Sequence, residues 1–419
     1  MRRLLIAAVM LLIAAAAAAD PLDGRTVTGV SVSGLRTIRE SIVLAQMELR
    51  AGGVYSRRTA DRDLVRLERL RVFSDLSIEA TAVDEGVRVD VTVVETLRIL
   101  PAVSIAVSDE SGVSAGPAIK VLSVKGRPQE FSAALRFGGE GLLEVSETSP
   151  FRRDTPLWHS AKLTVRNRDN GLDHFDEHSL DLDARVGFRV SDNWKAGAIL
   201  QQFNLTSLDT PGITLSPDDS DHFTGFGGIA EHDTRDSWTT PTRGWLNSVD
   251  AVWHVGSGDY ATFDLDVRRY QPLARKQTLV ATMLLTLQTG ERGVEVPTYT
   301  DYALGGANTV RGWDFASRRG KHQFIASLEH RYTLVPTQSF RIKGLNLYGG
   351  LALAAFGDLG SAWSDAGDAV DQAIGGYGFG LRLFIPFVDV IRIDFSFGNG
   401  AHANVGINEK AIAQRNRVR

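Results

Sequence analysis

The feature that most constrains this chain is an alternation of apolar and polar residues with a period of two, which runs from about residue 98 to residue 410. In the segment 180–190, for example, Leu, Ala, Val and Phe alternate with Asp, Arg and Gly. Such alternation is typical of β-strands, because successive side chains point to opposite faces. We count about sixteen such segments, which predicts a mainly β fold with a large antiparallel sheet.

Alternation alone does not distinguish a soluble β-sandwich from a membrane barrel, since both have one apolar and one polar face. After residue 19 the chain has no run of about 18 apolar residues, so no transmembrane helix is predicted. Only a closed barrel can then satisfy its backbone in lipid. A barrel is also favoured by tryptophans near segment ends, namely Trp158, Trp194, Trp245 and Trp363. We therefore predict a transmembrane antiparallel β-barrel of about sixteen strands over residues 98–410, followed by a polar tail over 411–419.

The N-terminus resembles an export signal. Arg2 and Arg3 precede an apolar run over 4–13, and an alanine run ends before Asp20. This pattern predicts a cleaved signal peptide over residues 1–19; an uncleaved anchor is the alternative. Export of a barrel predicts the outer membrane of a Gram-negative bacterium. The absence of cysteine excludes disulfides, thiolate metal sites and cysteine nucleophiles, and a net charge of −4 gives no basic surface for nucleic acid.

A small mixed domain is predicted ahead of the barrel, over residues 25–96. A β-branched strand at 27–33 precedes two segments with helical apolar spacing, and two further strands follow at 76–82 and 87–94. Residues 73–75 are predicted to break the pattern before the second strand. The order strand, helix, helix, strand, strand predicts a small α+β unit. An adaptor without a client is the alternative to a binding domain with an exposed sheet edge.

Short motifs in this domain and in the barrel give a resemblance to a known family. Gly52-Gly53-Val54-Tyr55, Val72-Phe73-Ser74-Asp75 and Val93-Val94-Glu95 make the small domain similar to a POTRA domain. The barrel resembles the BamA/TamA-type superfamily of outer-membrane assembly and translocation proteins, through ordered motifs at 232–236, 241–245, 305–306, 310–313, 328–332, 356–360 and 376–382. The similarity spans nearly the whole mature chain. Three features depart from it: a single POTRA-like domain, Trp313 where Phe or Tyr is commoner, and a polar end in place of an aromatic strand residue.

The resemblance implies that the Gly-rich stretch between Thr289 and Lys321 is a long extracellular loop that folds into the lumen. Its tip would be Val310, Arg311, Gly312 and Trp313, and Arg311 would meet Asp358 and Glu329 on the wall. The physical chemistry agrees, because a guanidinium in a poorly solvated lumen requires planar anionic partners. Gly312 would allow a tight turn. The alternative is that this loop only plugs and stiffens the barrel.

The resemblance also implies a function, that of an outer-membrane assembly factor. The edge of the POTRA-like sheet, in the periplasm, would capture unfolded or nascent outer-membrane or secreted polypeptides by strand addition. A lateral seam would open between the first strand (99–108) and the last (401–408), at Ile99, Val103, Ile105, Gly400, Val405 and Gly406. Outer-membrane lipids beside a short wall, and accessory periplasmic or lipoprotein partners, fit this scheme. A two-partner secretion pore and a passive porin are the alternatives.

Enzymatic activity is not predicted. Gly112-Val113-Ser114-Ala115-Gly116 fits the pattern of a nucleophile elbow, but that elbow needs a strand, a turn and a helix, and here a strand is predicted to follow. The nine histidines show no metal-ligand spacing. Residues 232–236 and 241–245 are predicted to form a strand end and a tight turn. No cofactor is expected.

Overall fold

The computed structural model describes residues 20–108, 110–150, 152–237, 240–342, 345–365, 367–385 and 389–407; the side chains of 339–342, 345–348, 389 and 407 are not described. The predicted signal peptide (1–19) and polar tail (411–419), and Asn408 at the predicted end of the last strand, lie outside these residues. Within the described part, no helix is long and apolar enough to cross a membrane.

The N-terminal domain has the predicted order of elements. It consists of β1 (Val27–Ser33), α1 (Glu40–Gln46), α2 (Arg57–Glu68), β2 (Phe73–Val83) and β3 (Gly86–Glu95). The sheet order is β1-β3-β2, with β1 parallel and β2 antiparallel to β3. The second helix ends before 73–75 as predicted, but β2 begins at Phe73 and not at Leu76, because Phe73 already pairs with Glu95 and a bulge before Asp75 accommodates the polar residues.

The core of this domain continues into the barrel. Helix α2 buries Ala60 and Leu67 on one face, and β3 buries alternate valines against both helices. Leu122 belongs to the first barrel hairpin, yet it is buried in the same cluster, with Leu100 packed against it. Domain and barrel therefore share a hydrophobic core at this point, which fixes the domain to the start of the barrel.

The remaining long strands form one antiparallel sheet of sixteen strands, which confirms the predicted barrel. Short loops join most consecutive strands, so the sheet winds in chain order. The strands are β4 (Ile99–Ser108), β5 (Gly112–Val124), β6 (Arg127–Gly138), β7 (Gly141–Thr148), β8 (Leu157–Asn170), β9 (Phe175–Arg189), β10 (Trp194–Ser207), β11 (Ser220–Asp233), β12 (Gly244–Gly256), β13 (Tyr260–Ala274), β14 (Gln277–Gln288), β17 (His322–Ile342), β18 (Leu345–Trp363), β19 (Ile374–Ile385), β20 (Asp389–Phe397) and β21 (Ala401–Ile407). The first strand, β4, and the last, β21, form the two ends of the ladder order.

The two faces of the sheet differ as the alternation predicts. On β13, Phe263 is exposed on the outer face, whereas Asp264, Asp266 and Arg268 are buried inside. Large apolar side chains remain exposed around the outer wall, which is the arrangement of a barrel that meets lipid. Trp158 lies near a strand end as predicted, but it faces the lumen: it is only 5% exposed and packs with Ile199, Ile229 and Val252.

The hairpin of β17 and β18 is longer than its neighbours. The partner β14 pairs with β17 only as far as Tyr332, and β19 pairs with β18 only from Gly350. The remaining backbone of the hairpin projects past the rim on the side of the N-terminal domain. The alternation of apolar and polar residues does not distinguish this extension from the strands of the barrel wall, because both have strand-like sequence.

Candidate functional site

The long loop between β14 and β17 folds into the barrel. It contains a short helical turn (Thr298–Thr300) and a small hairpin of β15 (Tyr302–Leu304) and β16 (Arg318–Gly320). Leu304 and Val310 are fully buried against wall residues Leu284, Ile325, Ala362 and Ile374. This apolar packing holds the loop against the inner wall independently of the ion pairs.

Arg311 lies at the centre of a buried ion-pair network. Its Nε donates to Oδ2 of Asp358 at 2.7 Å and its Nη2 to Oδ1 at 2.9 Å, a bidentate pair. Its Nη1 lies 3.0 Å from Asp394 and 3.5 Å from Glu329. The guanidinium also lies over the ring of Phe356, 3.2 Å from the centroid. The structure thus brings Arg311 together with both carboxylates named from the sequence, and the side chain is 1% exposed.

Three further arginines on the wall complete this network. Arg382 donates to Glu329 at 3.0 Å and to Asp394 at 2.6 Å, so it bridges the two carboxylates. Arg331 pairs with Glu329 at 2.6 Å, and Arg392 lies 3.5 Å from Asp394. Buried charges at this density are tolerated because each has an oppositely charged neighbour.

Sequence reasoning missed Asp394, Arg382 and Arg392 as members of the site. The alternation at 391–397 places Arg392 and Asp394 on the inner face, which was the available signal. What the sequence does not give is the register between the folded loop and strands β19 and β20. That register depends on tertiary packing between segments some 80 residues apart, so no local pattern contains it.

Gly312 occupies a position that accepts no side chain. Its φ is +91°, and a Cβ there would lie 2.4 Å from the carbonyl carbon of Phe397. Opposite it, a Cβ on Gly376 would lie 1.9 Å from the carbonyl oxygen of Arg311. Trp313 donates its indole N–H to the carbonyl of Gly375 at 2.8 Å. The tip, residues 310–313, therefore sits directly on the backbone of β19 and β20, and we call it the latch.

The six predicted seam residues lie on the two end strands of the sheet. Ile99, Val103 and Ile105 on β4 are 53%, 60% and 45% exposed on the outer face, and Val405 on β21 is 44% exposed. Gly400 lies in the exposed turn before β21, and Gly406 is buried against Arg392. None of the described ladders joins β4 to β21. Of these six residues, Gly406 contacts the buried network, through Arg392.

The N-terminal domain lies across one mouth of the barrel. Arg66 on α2 pairs with Asp192 in the β9–β10 turn at 2.7 Å, and Arg69 donates to the carbonyl of Asp233 at 3.0 Å. Gln46 accepts from the backbone of Arg153 at 2.8 Å. These contacts reach turns on one side of the rim, so any access to the lumen from this end passes the domain.

The opposite mouth is closed by the long loop. Tyr299 is buried with Phe175, Phe203 and Leu205 and donates its hydroxyl to Asp221 at 2.8 Å. Below this aromatic closure lies a polar cavity of about 440 Å³ against strands β7–β14, lined by charged side chains such as Lys162, Asp183, Arg185, Lys195, Glu231 and Arg268. The lumen therefore has a packed half, which holds the latch, and an open half, which contains the cavity.

The motif at 112–116 and the motif at 232–236 have structural positions. Ser114 lies within the regular strand β5, where its hydroxyl accepts from the backbone of Glu140 at 3.0 Å, so no elbow is present. Strand β11 ends at Asp233, and Asp236 accepts from the backbone of Thr242 and Arg243 in the turn. Neither forms a catalytic arrangement. Among the described residues there is no group of His, Asp and Glu that could hold a metal ion.

Comparison with known proteins places this geometry in a family. The Omp85 superfamily domain matches residues 124–409, and a POTRA model, described as a surface antigen variable number repeat, matches residues 26–96. No curated protein matches the chain by sequence.

Solved structures of similar fold agree. BamA from Haemophilus ducreyi lacking POTRA domains 1–3 is 15% identical, with a TM-score of 0.57 over 92% of this chain and 83% of that one. CdiB from Escherichia coli is 13% identical, with a TM-score of 0.55 over 92% of this chain and 75% of that one. The family match covers more than half of the chain, in agreement with the resemblance seen in the sequence. The chain therefore belongs to the Omp85 superfamily, as an outer-membrane β-barrel with a POTRA domain in the periplasm.

Proposed function

We propose that this protein is an insertase, which captures polypeptides in the periplasm and releases them into the outer membrane through the seam between β4 and β21. The observation that carries the proposal is the ladder order, in which β4 and β21 are the two ends with no described ladder between them. A strand edge with unpaired N–H and C=O groups is a template for another strand. A client strand that pairs with this edge gains hydrogen bonds that it lacks in the unfolded state.

The closed lumen favours release of the client at the seam over its passage through the lumen. At the extracellular end, Tyr299 and its aromatic neighbours fill the opening, and Arg319 and Arg292 both pair with the buried Asp301, at 2.8 Å and 2.6 Å. The latch fills the half of the lumen nearest β17–β20. A polypeptide that crossed the lumen would have to displace these contacts, whereas a polypeptide at the seam would not.

The length of the first strand at the seam supports the same route. Strand β4 has ten residues, whereas β8–β11 have fourteen or fifteen. A strand needs about 9–11 residues to span the hydrocarbon region, so β4 is close to the minimum. A short apolar wall thins the adjacent bilayer, which lowers the cost of moving polar backbone across it. Insertion then needs no nucleotide, because the folded client is the lower free-energy state.

Clients would first bind to the POTRA domain. Its sheet order leaves the outer edge of β2 without a paired strand among the described residues. An extended segment can add there by backbone hydrogen bonds, which do not depend on the client's sequence. The domain stands beside the first hairpin, with Leu122 in its core, so a bound segment lies close to β4.

A second candidate function is translocation through the lumen. The observation in its favour is the cavity of about 440 Å³, which is lined by charged side chains and lies between the POTRA domain and the aromatic closure. On this alternative the long loop would leave the barrel in each cycle. The fold is shared with CdiB as well as with BamA, so the fold does not choose between the two functions.

Site-specific photocrosslinking in cells distinguishes the two. The photoreactive residue is placed at Val103 or Val405, which face outward at the seam, or at Gln201 or Lys162, which line the cavity. We expect clients to be crosslinked at the seam positions and not at the cavity positions. Capture at the cavity positions would support translocation instead. A control position on the far wall, Phe226, should capture lipid and no client.

A further inference from the structure

Arg392 holds the long loop at a second point, separate from the contact between Arg311 and Asp358. The side chain is 2% exposed and extends from β20. Its Nη2 donates to the side-chain oxygen of Asn308 at 2.8 Å, and its Nη1 donates to the carbonyl of Ala307 at 3.2 Å. These contacts lie three and four residues before Arg311, so the loop is held on both sides of its turn.

The same guanidinium rests on the last strand. Arg392 and Gly406 are partners in the ladder between β20 and β21. A Cβ on Gly406 would lie 2.3 Å from Nη2 and 2.7 Å from Cζ of Arg392. The φ of Gly406 is not in the left-handed region, so space is the reason for glycine here. A side chain at this position of β21 would therefore require the guanidinium of Arg392 to move from its place beside the loop.

A second contact joins the loop to the turn between β20 and β21. The backbone N–H of Asn399 donates to the carbonyl of Gly312 at 2.9 Å. A Cβ on Gly398 would lie 2.6 Å from the indole of Trp313. The loop therefore touches the last hairpin at both ends, at Gly406 through Arg392 and at the turn directly.

We propose that Arg392 is a positioning residue that ties the long loop, at Ala307 and Asn308, to β21, so that the loop and the last strand loosen together. Among the described ladders, β21 pairs only with β20. A contact between the loop and β21 therefore adds directly to the interactions that keep β21 in place. Strand β4 is held differently, by the POTRA core through Leu100 and Leu122. If the seam opens, the coupling implies that the latch must be released first. This consequence rests on the proposed insertase function, whereas the coupling between the loop and β21 does not.

Hydrogen exchange of the full-length protein in lipid nanodiscs tests the coupling. Asn308→Ala removes the side-chain acceptor of Arg392 in the loop, leaves the carbonyl of Ala307 in place, and changes no residue of β20 or β21. The variant is expected to exchange about tenfold faster in both the loop (305–314) and β21 (Ala401–Ile407), the scale of one lost hydrogen bond to a charged group. Exchange in β9 (Phe175–Arg189) should not change. Gly406→Ala is expected to speed the same two segments, and Gly357→Ala is its matched control, because nothing lies within 4 Å of a Cβ there.

Two results would overturn the coupling. One is faster exchange in the loop of Asn308→Ala with no change in β21. The other is faster exchange in β21 of Gly406→Ala with no change in the loop, which would indicate a local strand defect. If Gly406→Ala does not fold, Asn308→Ala decides alone. No client is present in this measurement, so its failure leaves the insertase proposal standing, and failure of the seam crosslinks leaves the coupling standing.

Discussion

Replacement of Arg311 by alanine tests the buried network most directly. Asp358 would lose both guanidinium donors, at 2.7 and 2.9 Å, while its carboxylate remains buried. Glu329 and Asp394 would keep Arg382 as a common partner, so the cost falls mainly on Asp358. Loss of one partner of a buried ion pair costs about 3–5 kcal/mol of unfolding free energy. We expect Arg311→Ala to fall in that range.

A double-mutant cycle isolates the pair. In Asp358→Asn the buried charge is removed, so Arg311→Ala in that background should cost about 2 kcal/mol less than in the native protein. Arg311→Lys should recover only part of the stability, because an ammonium cannot make the bidentate contact. The measurement is urea unfolding in lipid bilayers, followed by the gel mobility of the heat-resistant barrel. Arg57→Ala is the control, since its ion pair with Asp61 is exposed and should contribute about 0.5 kcal/mol or less.

Two results would refute this reasoning. If Arg311→Ala costs less than about 1 kcal/mol, the guanidinium does not compensate the buried carboxylates in the way the contacts imply. If the costs of Arg311→Ala and Asp358→Asn simply add, the two side chains do not stabilise each other. Either result would leave the apolar packing of Leu304 and Val310 as what holds the loop.

The remaining predictions concern three separate regions. Gly312→Ala should expel the tip of the loop, because its Cβ would overlap the backbone of Phe397, and protease should then cleave the loop in intact cells. Tyr299→Phe removes the hydrogen bond to Asp221 and should raise single-channel conductance in planar bilayers; an unchanged conductance would exclude this closure as the barrier. Glu95 accepts hydrogen bonds from residues 36–38, and although burial opposes its ionisation, these bonds lower its pKa. Its contribution to POTRA stability is therefore present above the unfolded pKa of about 4.3 and is lost as the pH falls through the lower folded pKa. The native protein should thus show lower protection factors against exchange in β3 at low pH, after the intrinsic pH dependence of amide exchange is divided out, and Glu95→Gln should remove that loss of protection.

The sequence predicted the fold because one local signal repeats along the barrel. Period-two alternation gives both the strands and their faces, and consecutive antiparallel strands joined by short turns then pair in chain order. The POTRA domain was predictable for a similar reason, since helical and strand periods differ. The errors fell where two conformations share one pattern. Residues 73–75 contain polar residues that a bulge accommodates within β2, and Trp158 stands near a strand end but faces inward.

The site was less predictable than the fold because its partners are distant in the chain. Arg311 and Asp358 were named through motifs at fixed places, and the structure puts their side chains 2.7 Å apart. Asp394, whose carboxylate lies 3.0 Å from Nη1 of Arg311, belongs to no such motif. Its proximity depends on how a loop of some thirty residues packs against β20, which is decided by close approaches at glycines. A sequence shows that Gly406 is a glycine, but only coordinates show that Arg392 fills the space beside it.

The distribution of packing inside the barrel bears on how the seam can open. The latch network joins β17–β20 through buried ion pairs, and Arg392 extends that rigid region to β21. On the other side of the seam, β4 and β5 are attached to the POTRA core, and the next strands, from β7 onward, line the open cavity. Close-packed regions move as units, whereas a wall beside an unfilled cavity can bend. The side of the seam attached to the POTRA domain is therefore the more compliant one, so on the proposed function a client bound to the domain would act on β4 while the long loop holds β21.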